Sequence, residues 1–395
     1  PICRGERPQV RLKIEVMLVA LQILLGLLLL VVGGELLVRG AAALASAFRI
    51  SPLVIGLTVV AFGTSAPELG VSLQAALTGN ADVAVGNVVG SNIVNILLVL
   101  GASAIITPLI VSSQLIRLDV PLMIAAAVAM WLMSLNGVIS RVEGGVLFAC
   151  LLVYIAGSIR ASRRESAAVA EEFSEYSRSV TGIAGPLSQV ALFIGGLALL
   201  TLGSRWLVEG AITVATALGV SQLVIGLTIV ALGTSLPEVV TSVVASIRGQ
   251  RDIAVGNVVG SNLFNVLCVL GLTSLVSPSG VPVSAQAVDF DIPVMVAVCV
   301  ICLPIFISGS VIRRYEGALF LNYLVLYTLF LIVAATHPED RAWFGRALIY
   351  AVVPLTGLTI GISIFHSVRE RRRAVALRNA QSESERPAVN DESTP

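Results

Sequence analysis

The sequence predicts an all-α fold: a polytopic transmembrane bundle of two inverted five-helix repeats and one extra C-terminal helix. Three observations carry this prediction: an apolar composition, a series of apolar stretches long enough to cross a bilayer, and an internal repeat. Of the 395 residues, 56% are hydrophobic and only 12% are charged. A water-soluble domain needs more surface charge, so most of the chain must face lipid or a core buried in the membrane.

Eleven stretches of the chain are predicted to span the membrane, because a spanning helix needs about 20 mainly apolar residues. They lie at 17–46, 52–77, 83–106, 118–136, 143–159, 187–217, 222–247, 253–276, 290–308, 316–335 and 345–366. The first five form a first repeat at 17–159, the next five form a second repeat at 187–335, and the last is the extra helix.

Polar stretches and arginines predict how these spans are arranged. Residues 160–186 predict a cytoplasmic linker, and residues 370–395, rich in Arg, Ser and Glu, predict a disordered cytoplasmic tail. If the first span enters from outside, sixteen arginines lie in inner loops and the tail, against three in outer loops. This positive-inside bias predicts that the C-terminal tail is cytoplasmic, and we expect a multi-pass protein of the cell inner (plasma) membrane. The basic residues before Met17 oppose the bias, and we expect Met17 to be the natural start.

The chain contains an internal repeat. Residues 53–101 align without a gap with residues 223–271, at a constant offset of 170, and 31 of these 49 positions are identical. Polar and glycine positions match best, so chance similarity between apolar helices cannot explain the match. Because each repeat holds an odd number of spans, the second copy is expected to enter the membrane from the opposite side. Inverted repeats of this kind bring equivalent residues together near the middle of the bilayer.

The repeat extends to opposite charges in the span that precedes each block. Glu35 and Arg39 stand four residues apart in the first copy, and Arg205 and Glu209 stand four apart in the second. Side chains at this spacing meet on one helix face. We expect each pair to form an ion pair that neutralises a tilted helix.

The motif GTSAPE in the first copy, repeated as GTSLPE in the second, predicts a break in the spanning helix. Gly63 disfavours a continuous helix, and Pro67 removes a backbone donor and frees a carbonyl group. Thr64 and Ser65 can satisfy exposed backbone groups or point at a ligand. Irregular backbone within a membrane is tolerated only where it is buried in protein or lines a wet cavity. Each motif therefore predicts a discontinuous helix at a site.

The acid that ends each motif, Glu68 or Glu238, lies within an apolar span that contains no lysine or arginine. An ionisable group at the centre of a span costs roughly 2.5–3.5 kcal/mol on insertion scales, so it requires a partner or a function. A protonated, hydrogen-bonded structural carboxyl is the alternative. It does not explain why the same acid recurs beside the same helix breaker.

Polar residues at helical spacing extend the predicted site. One face of the span that carries the acid, and one face of the next span, are lined by hydroxyl, carboxyl and amide groups. They are Thr64, Glu68, Ser72, Asn87, Ser91 and Asn95 in the first copy and Thr234, Glu238, Ser242, Asn257, Ser261 and Asn265 in the second. Hydrogen bonding between helices is the alternative role, and it is favoured for Asn87, Asn92, Asn257 and Asn262.

The predicted ligands are all oxygen atoms. Neither of the chain's two histidines, His337 and His366, lies in these stretches. Carboxylate, hydroxyl and amide oxygens suit hard cations such as Ca²⁺, Na⁺ and Mg²⁺ rather than Zn²⁺ or Cu²⁺. Two formal negative charges can balance one Ca²⁺ or about two Na⁺ ions, and competition for the same carboxylates is a physical basis for exchange.

The two blocks resemble the α-repeats of the sodium/calcium exchangers, within the calcium/cation antiporter superfamily. The resemblance rests on GTSAPE with GNVVGSNIVN and on GTSLPE with GNVVGSNLFN. It implies ten core helices, inverted repeats and alternating access. It also implies a secondary active antiporter that exchanges Na⁺ for Ca²⁺, and the compact length implies a prokaryotic-type member.

The resemblance also assigns roles to single residues. Glu68 and Glu238 would be the central Ca²⁺ ligands. Further oxygens for Ca²⁺ and Na⁺ would come from the hydroxyl, amide or backbone groups of Thr64, Ser65, Thr234, Ser235, Ser91, Asn95 and Ser261, with backbone carbonyls of Ala61 and Ala231 helping to bind Na⁺. Potassium-dependent exchangers carry an aspartate where this chain has Asn265, so the resemblance implies exchange that is independent of K⁺.

Other functions remain open at this point. A Ca²⁺/H⁺ exchanger, or an antiporter of another divalent cation, would use the same kind of site. A passive cation channel or an intramembrane protease with two carboxylates is a further alternative, although a protease would leave the hydroxyl and amide stripes unexplained. We expect no enzyme activity, no cofactor, no nucleic acid and no obligate protein partner; the expected partners are Ca²⁺, Na⁺ and the lipid bilayer.

Overall fold

The structure is a computed structural model of the chain, and it does not describe every residue. Described are residues 8–180, 185–220, 222–225, 228–229, 231–307 and 310–340, with separate positions between 343 and 362. The predicted tail at 370–395 lies outside the described residues, and the predicted extra helix at 345–366 is described only in part. Those two predictions therefore stay untested.

The described part of the chain is almost entirely helical, in agreement with the predicted fold class. Its helices are α1 Pro8–Phe48, α2 Pro52–Thr64, α3 Ala66–Leu77, α4 Ala81–Ile106, α5 Leu115–Ser134, α6 Arg141–Val180, α7 Gly185–Ala217, α8 Gln222–Ile225, α9 Ala231–Gly233, α10 Leu236–Ile247, α11 Arg251–Val276, α12 Ala287–Ile307 and α13 Arg314–Thr336. A short 3₁₀ turn, Pro338–Asp340, follows α13.

Eight of the described helices are long and apolar enough to cross a membrane, and the bent pair α2–α3 makes a ninth crossing. These nine agree with nine of the predicted spans. The predicted span at 222–247 corresponds to α8, α9 and α10, with residues between them outside the description. The predicted linker begins as helix, since α6 continues from Arg141 to Val180.

Several helices are locally widened into π-helical turns at matching places in the two repeats. The turns Asn95–Leu100 in α4 and Asn265–Leu270 in α11 occupy equivalent positions, 170 residues apart. Another widened turn, Gly56–Val60, lies in α2 just before the GTSAPE motif. Widened turns of this kind are often found at functional sites. The two helices that carry the predicted ligand asparagines, α4 and α11, therefore have the same local distortion next to the predicted site.

The equivalent helices α1 and α7 cross each other in antiparallel orientation at four glycines. A Cβ atom built on Gly26 would lie 3.0 Å from the carbonyl oxygen of Gly203, and one built on Gly33 would lie 2.9 Å from that of Gly196. Residue numbers rise along one helix and fall along the other, which is the signature of antiparallel contact. Only residues without a side chain allow two helix backbones to approach so closely.

Short strands join the ends of the two halves. The strands are β1 Leu109–Ile110, β2 Val138–Ile139, β3 Val281–Pro282 and β4 Val311–Ile312. Within the described residues, β1 pairs with β4 and β2 pairs with β3, both antiparallel, so each pair links one repeat to the other. Among the residues that the structure describes, these two-residue strands are the one departure from the predicted all-α fold.

The predicted ion pairs are present on α1 and α7. Arg39 Nε lies 2.6 Å from Glu35 Oε1, and Arg205 Nε lies 2.8 Å from Glu209 Oε1. Both pairs are partly exposed, and exposed pairs of this kind contribute little to stability. Their role is to neutralise charge on the helix face rather than to hold the fold together.

Candidate cation site

Each of the two glutamates lies in the first turn of a helix, directly after the point where the preceding helix is interrupted. Ser65 separates α2 from α3 with φ −86° and ψ 3°, and the two helices are inclined by 45°. Ser235 has nearly the same conformation before α10, with φ −87° and ψ 4°. The predicted break in the first motif is confirmed, and the second motif has the same hinge conformation.

The first-turn position suits a carboxylate. The unpaired backbone N–H groups of a helix N-terminus favour negative charge nearby. Pro67 and Pro237 occupy this same turn, where the missing N–H of proline does no harm. The motif therefore places Glu68 and Glu238 at the start of new helices, inside the protein, rather than midway along continuous ones.

Both glutamates are almost fully buried, each with 1% of its surface exposed, and their oxygen atoms have few partners. Neither carboxylate oxygen of Glu68 accepts a hydrogen bond within the described structure, and neither does Oε2 of Glu238. Oε1 of Glu238 accepts a bond of 3.3 Å from the Ser65 hydroxyl. A buried carboxyl group without donors is costly, which indicates that a cation or a proton satisfies these oxygens.

The first hinge reaches across to the second repeat. The Thr64 hydroxyl donates to Asn257 Oδ1 at 3.1 Å and lies 3.4 Å from the Ser261 hydroxyl on the same helix, α11. Ser65, the next residue, donates to Glu238 as described. The structure thus brings together polar groups that are about 170 to 200 residues apart in the sequence, as the internal repeat predicts.

One asparagine in each repeat holds the helix that carries the glutamate to the helix that follows it. Asn87 Nδ2 donates to the backbone oxygen of Glu68 at 3.1 Å and to the Ser72 hydroxyl at 2.9 Å. Asn257 Nδ2 makes the matching bond to the Ser242 hydroxyl at 3.0 Å. The interhelical role favoured for Asn87 and Asn257 agrees with these contacts.

Two further asparagines turn bare oxygen atoms toward the protein interior. Asn95 and Asn265 are buried at 0% and 1% exposure, and each donates its Nδ2 to an asparagine of the other repeat. Their Oδ1 atoms have no hydrogen-bond partner in the described structure, and neither does the Ser235 hydroxyl. The carboxylate and amide oxygens left bare are all acceptors.

The remaining predicted site residues are placed less completely. Ser91 is buried and Thr234 is half-buried. The carbonyl oxygen of Ala61 accepts from Ser65 N at 3.0 Å, so it already has one helical hydrogen bond. Ala231 begins α9, and its side chain lies outside the description. Asn92 and Asn262 accept hydrogen bonds from the amide groups of Asn265 and Asn95. These contacts agree with the interhelical role favoured for both residues from the sequence, and neither residue belongs to the predicted ligand set.

The chemistry of the site is that of oxygen. Among the described residues no cluster of three or more His, Cys, Asp or Glu side chains could hold a metal ion. Two carboxylates with hydroxyl and amide oxygens form a ligand set for hard cations such as Na⁺ and Ca²⁺, and not for Zn²⁺ or Cu²⁺. Fold and geometry together define a polytopic membrane protein with a buried cluster of oxygen atoms of the kind that hard cations prefer.

Comparison with known proteins identifies the family. The family model described as sodium/calcium exchanger protein matches residues 18–160 and 188–333. The chain is 33% identical over 343 residues to the sodium/calcium exchanger MaX1 of Methanosarcina acetivorans, covering 79% of this chain and 97% of that protein. It is 36% identical over 277 residues to the inner membrane protein YrbG of Escherichia coli, covering 70% and 85%. The chain therefore belongs to the sodium/calcium exchanger family.

Solved structures agree with this assignment. The structure of the sodium-calcium exchanger NCX_Mj soaked with 2.5 mM Na⁺ and 0.1 mM Ca²⁺ is 32% identical to this chain, with a TM-score of 0.67. The match covers 81% of this chain and 98% of that one. The chain is accordingly a membrane antiporter of cations, and its family is one of transporters rather than enzymes.

Proposed function

We propose that this chain exchanges Na⁺ for Ca²⁺ by alternating access, with Glu68 and Glu238 as the central ligands. One observation carries the proposal: three of the four buried carboxylate oxygens of Glu68 and Glu238, and two buried amide oxygens, lack hydrogen-bond partners in the described structure. Such a set can hold one Ca²⁺ or about two Na⁺ ions with little net charge. The ions then compete for the same oxygens, which couples their transport.

The other proposed ligands are those with oxygens beside these carboxylates. They are the hydroxyl or backbone groups of Thr64, Ser65, Thr234, Ser235, Ser91 and Ser261, the amide oxygens of Asn95 and Asn265, and the backbone carbonyls of Ala61 and Ala231. Asn265 supplies a neutral amide rather than a carboxylate, and this supports exchange without K⁺, because one negative charge fewer is available for an additional cation. The antiparallel crossing of α1 and α7 supports the inverted arrangement of the repeats.

The proposed location is the plasma membrane, with the C-terminal tail in the cytoplasm. The arginine distribution supports this orientation, because inner loops and tail carry sixteen arginines against three.

Transport in reconstituted vesicles tests the proposal. An outward Na⁺ gradient is expected to drive uptake of radioactive Ca²⁺ into proteoliposomes, with no requirement for K⁺. Glu68→Gln and Glu238→Gln are each expected to abolish uptake, because an amide cannot replace a charged ligand. Glu339→Gln, which removes an exposed carboxylate far along the chain from the motifs, serves as the control and should transport normally.

The same vesicles separate the alternatives. Uptake driven by a pH gradient and not by Na⁺ would replace the proposal with Ca²⁺/H⁺ exchange. Flux that is not stimulated by the counter-ion would indicate a channel. Full activity of the two glutamine variants would refute the proposed ligands even if Na⁺ drives Ca²⁺ uptake.

A further inference from the structure

Four buried asparagines form two crossed pairs at the centre of the bundle. Asn95 Nδ2 donates to Asn262 Oδ1 at 3.1 Å, and Asn265 Nδ2 donates to Asn92 Oδ1 at 3.2 Å. All four side chains are no more than 1% exposed. Each bond joins α4 to α11. The donors Asn95 and Asn265 are equivalent positions of the two repeats, and so are the acceptors Asn262 and Asn92. The two pairs are thus the same contact made twice.

Each pair continues to a methionine on a third helix. Asn92 Nδ2 lies 3.3 Å from Met295 Sδ on α12, and Asn262 Nδ2 lies 3.5 Å from Met123 Sδ on α5. A thioether sulfur can accept a weak hydrogen bond but cannot donate one. The methionine therefore favours the amide orientation in which the NH₂ group of Asn92 or Asn262 faces it. The carbonyl oxygen of that asparagine then faces the opposite repeat.

This orientation decides which atom of the next asparagine is left bare. Because Asn92 presents a carbonyl oxygen, Asn265 must turn its NH₂ group toward it, and the Asn265 oxygen is left without a partner. The same reasoning applies to Asn262 and Asn95. If the amide group of Asn92 were reversed, its NH₂ group would face the NH₂ group of Asn265 and the two would repel each other. A bare NH₂ group in place of either oxygen would oppose a cation.

We propose that Asn92 and Asn262 are positioning residues that set the amide orientation of the ligands Asn265 and Asn95. Met295 and Met123 set the orientation of Asn92 and Asn262 in turn. The inference rests on the proposed function for the identity of the ion and for the role of Asn95 and Asn265 as ligands. Residues that orient a metal ligand typically change metal affinity by about 10–100-fold when they are replaced.

Calcium affinity of the purified full-length protein tests the inference. Asn92→Leu is expected to raise the Ca²⁺ dissociation constant, measured by titration calorimetry in Na⁺-free detergent solution, by about 10–100-fold. Asn92→Asp keeps an acceptor for Asn265 and is expected to bind Ca²⁺ at least tenfold more tightly than Asn92→Leu. Asn322→Leu, the same change at an exposed position of spanning helix α13, is the control and should bind as wild type.

A double-mutant cycle distinguishes positioning from a general structural role. If Asn92 acts through Asn265, Asn92→Leu has no further effect on affinity in a protein that already carries Asn265→Ala. Additive losses would overturn the inference, as would unchanged affinity of Asn92→Leu in a folded protein. Should Asn92→Leu fail to fold, the comparison of Asn92→Asp with Met295→Leu decides. Met295→Leu removes the contact that orients Asn92 and should weaken Ca²⁺ binding, whereas Asn92→Asp presents an oxygen to Asn265 in either orientation and should keep most of the affinity; equal affinities would overturn the inference. Wild-type protein that binds no Ca²⁺ would instead contradict the proposed function.

Discussion

The two copies of the repeat have nearly the same sequence but different surroundings. Every residue in the most apolar stretch of α11 is buried, against 72% in the equivalent helix α4. The difference is concentrated at the start of each helix: Ile253 is fully buried, whereas its counterpart Val83 is 53% exposed. Since 31 of 49 positions are identical, local sequence cannot produce this contrast. Packing of the other helices must produce it.

The backbone of α2 covers the start of α11. A Cβ atom built on Gly256 would lie 2.8 Å from the oxygen of Leu53, and one built on Gly260 would lie 2.7 Å from the oxygen of Leu57. On α4 no described atom comes within 4 Å of a Cβ atom built on the equivalent Gly90. The start of α11 is therefore a closed side of the site, and the start of α4 is a more open side.

The hydrogen bonds of the two hinges show the same contrast. Thr64 is fully buried and donates to Asn257, whereas Thr234 is half-buried and makes no hydrogen bond to Asn87 among the described residues. An antiporter that works by alternating access needs two arrangements in which the closed and open sides exchange. The near-identity of the copies supports the proposal, because each hinge has the residues needed to adopt the arrangement of the other.

The largest predicted difference between the two sides concerns Gly260 and Gly90. Gly260→Ala is expected to destabilise the protein by about 1–3 kcal/mol, because the new methyl group would overlap the backbone of α2. Gly90→Ala, the equivalent change on the open side, should lower the melting temperature much less. Equal losses of thermal stability in detergent would show that the two sides are packed alike, and would remove the basis of the comparison.

The sequence predicts the fold well because its strongest signals are local. Apolar length identifies the spans, and the proline and glycine of GTSAPE identify the hinge before Glu68, as the structure confirms. The bare oxygens of Asn95 and Asn265 could not be predicted in the same way. They depend on the orientation of each amide group. The methionines that set this orientation, Met123 and Met295, lie 139 and 203 residues from the asparagines that they contact, Asn262 and Asn92.

The difference in burial between the two halves could not be predicted from the internal repeat either. A repeat of this kind predicts equivalent positions and therefore equal surroundings. Under the proposed alternating access, the exposed Val83 and the buried Ile253 differ because a single state closes only one side at a time. Periodicity and motif spacing carry no information about which side this is.

A smaller predicted effect concerns the two hinge threonines. Thr64→Val removes the donor of a fully buried Asn257 oxygen, so it is expected to destabilise the ion-free protein by about 1–3 kcal/mol, at the lower end of that range because Ser261 lies nearby. Thr234 donates no equivalent hydrogen bond among the described residues, so Thr234→Val should destabilise the protein less than Thr64→Val. Thermal unfolding without Na⁺ or Ca²⁺ measures both. A larger loss for Thr234→Val would mean that the hinge on the open side is the more tightly bonded one.

The smallest predicted effect concerns an ion pair that exists on the closed side only. Arg248, at the end of α10, binds both carboxylate oxygens of Glu35 on α1, with N–O distances of 2.8 Å. At the equivalent positions the chain has Thr78 and Arg205, which cannot form an ion pair. In the proposed exchange of the two sides, the Arg248 pair therefore separates without an equivalent pair forming. The pair stabilises the arrangement seen here relative to its opposite.

Arg248→Gln is expected to shift this balance by up to about fivefold, because a partly exposed ion pair contributes at most about 1 kcal/mol. Cysteines introduced at Val83 and Ile253, in a protein whose exposed Cys150 is replaced by alanine, report the shift by their rates of thiol labelling. Labelling at 253 should rise and labelling at 83 should fall. High salt should have the same effect on the protein with Arg248 intact, because it screens the pair. Arg205→Gln breaks an ion pair within α7 alone, so an equal shift in that variant would show that the Glu35 contact has no special role in closing this side.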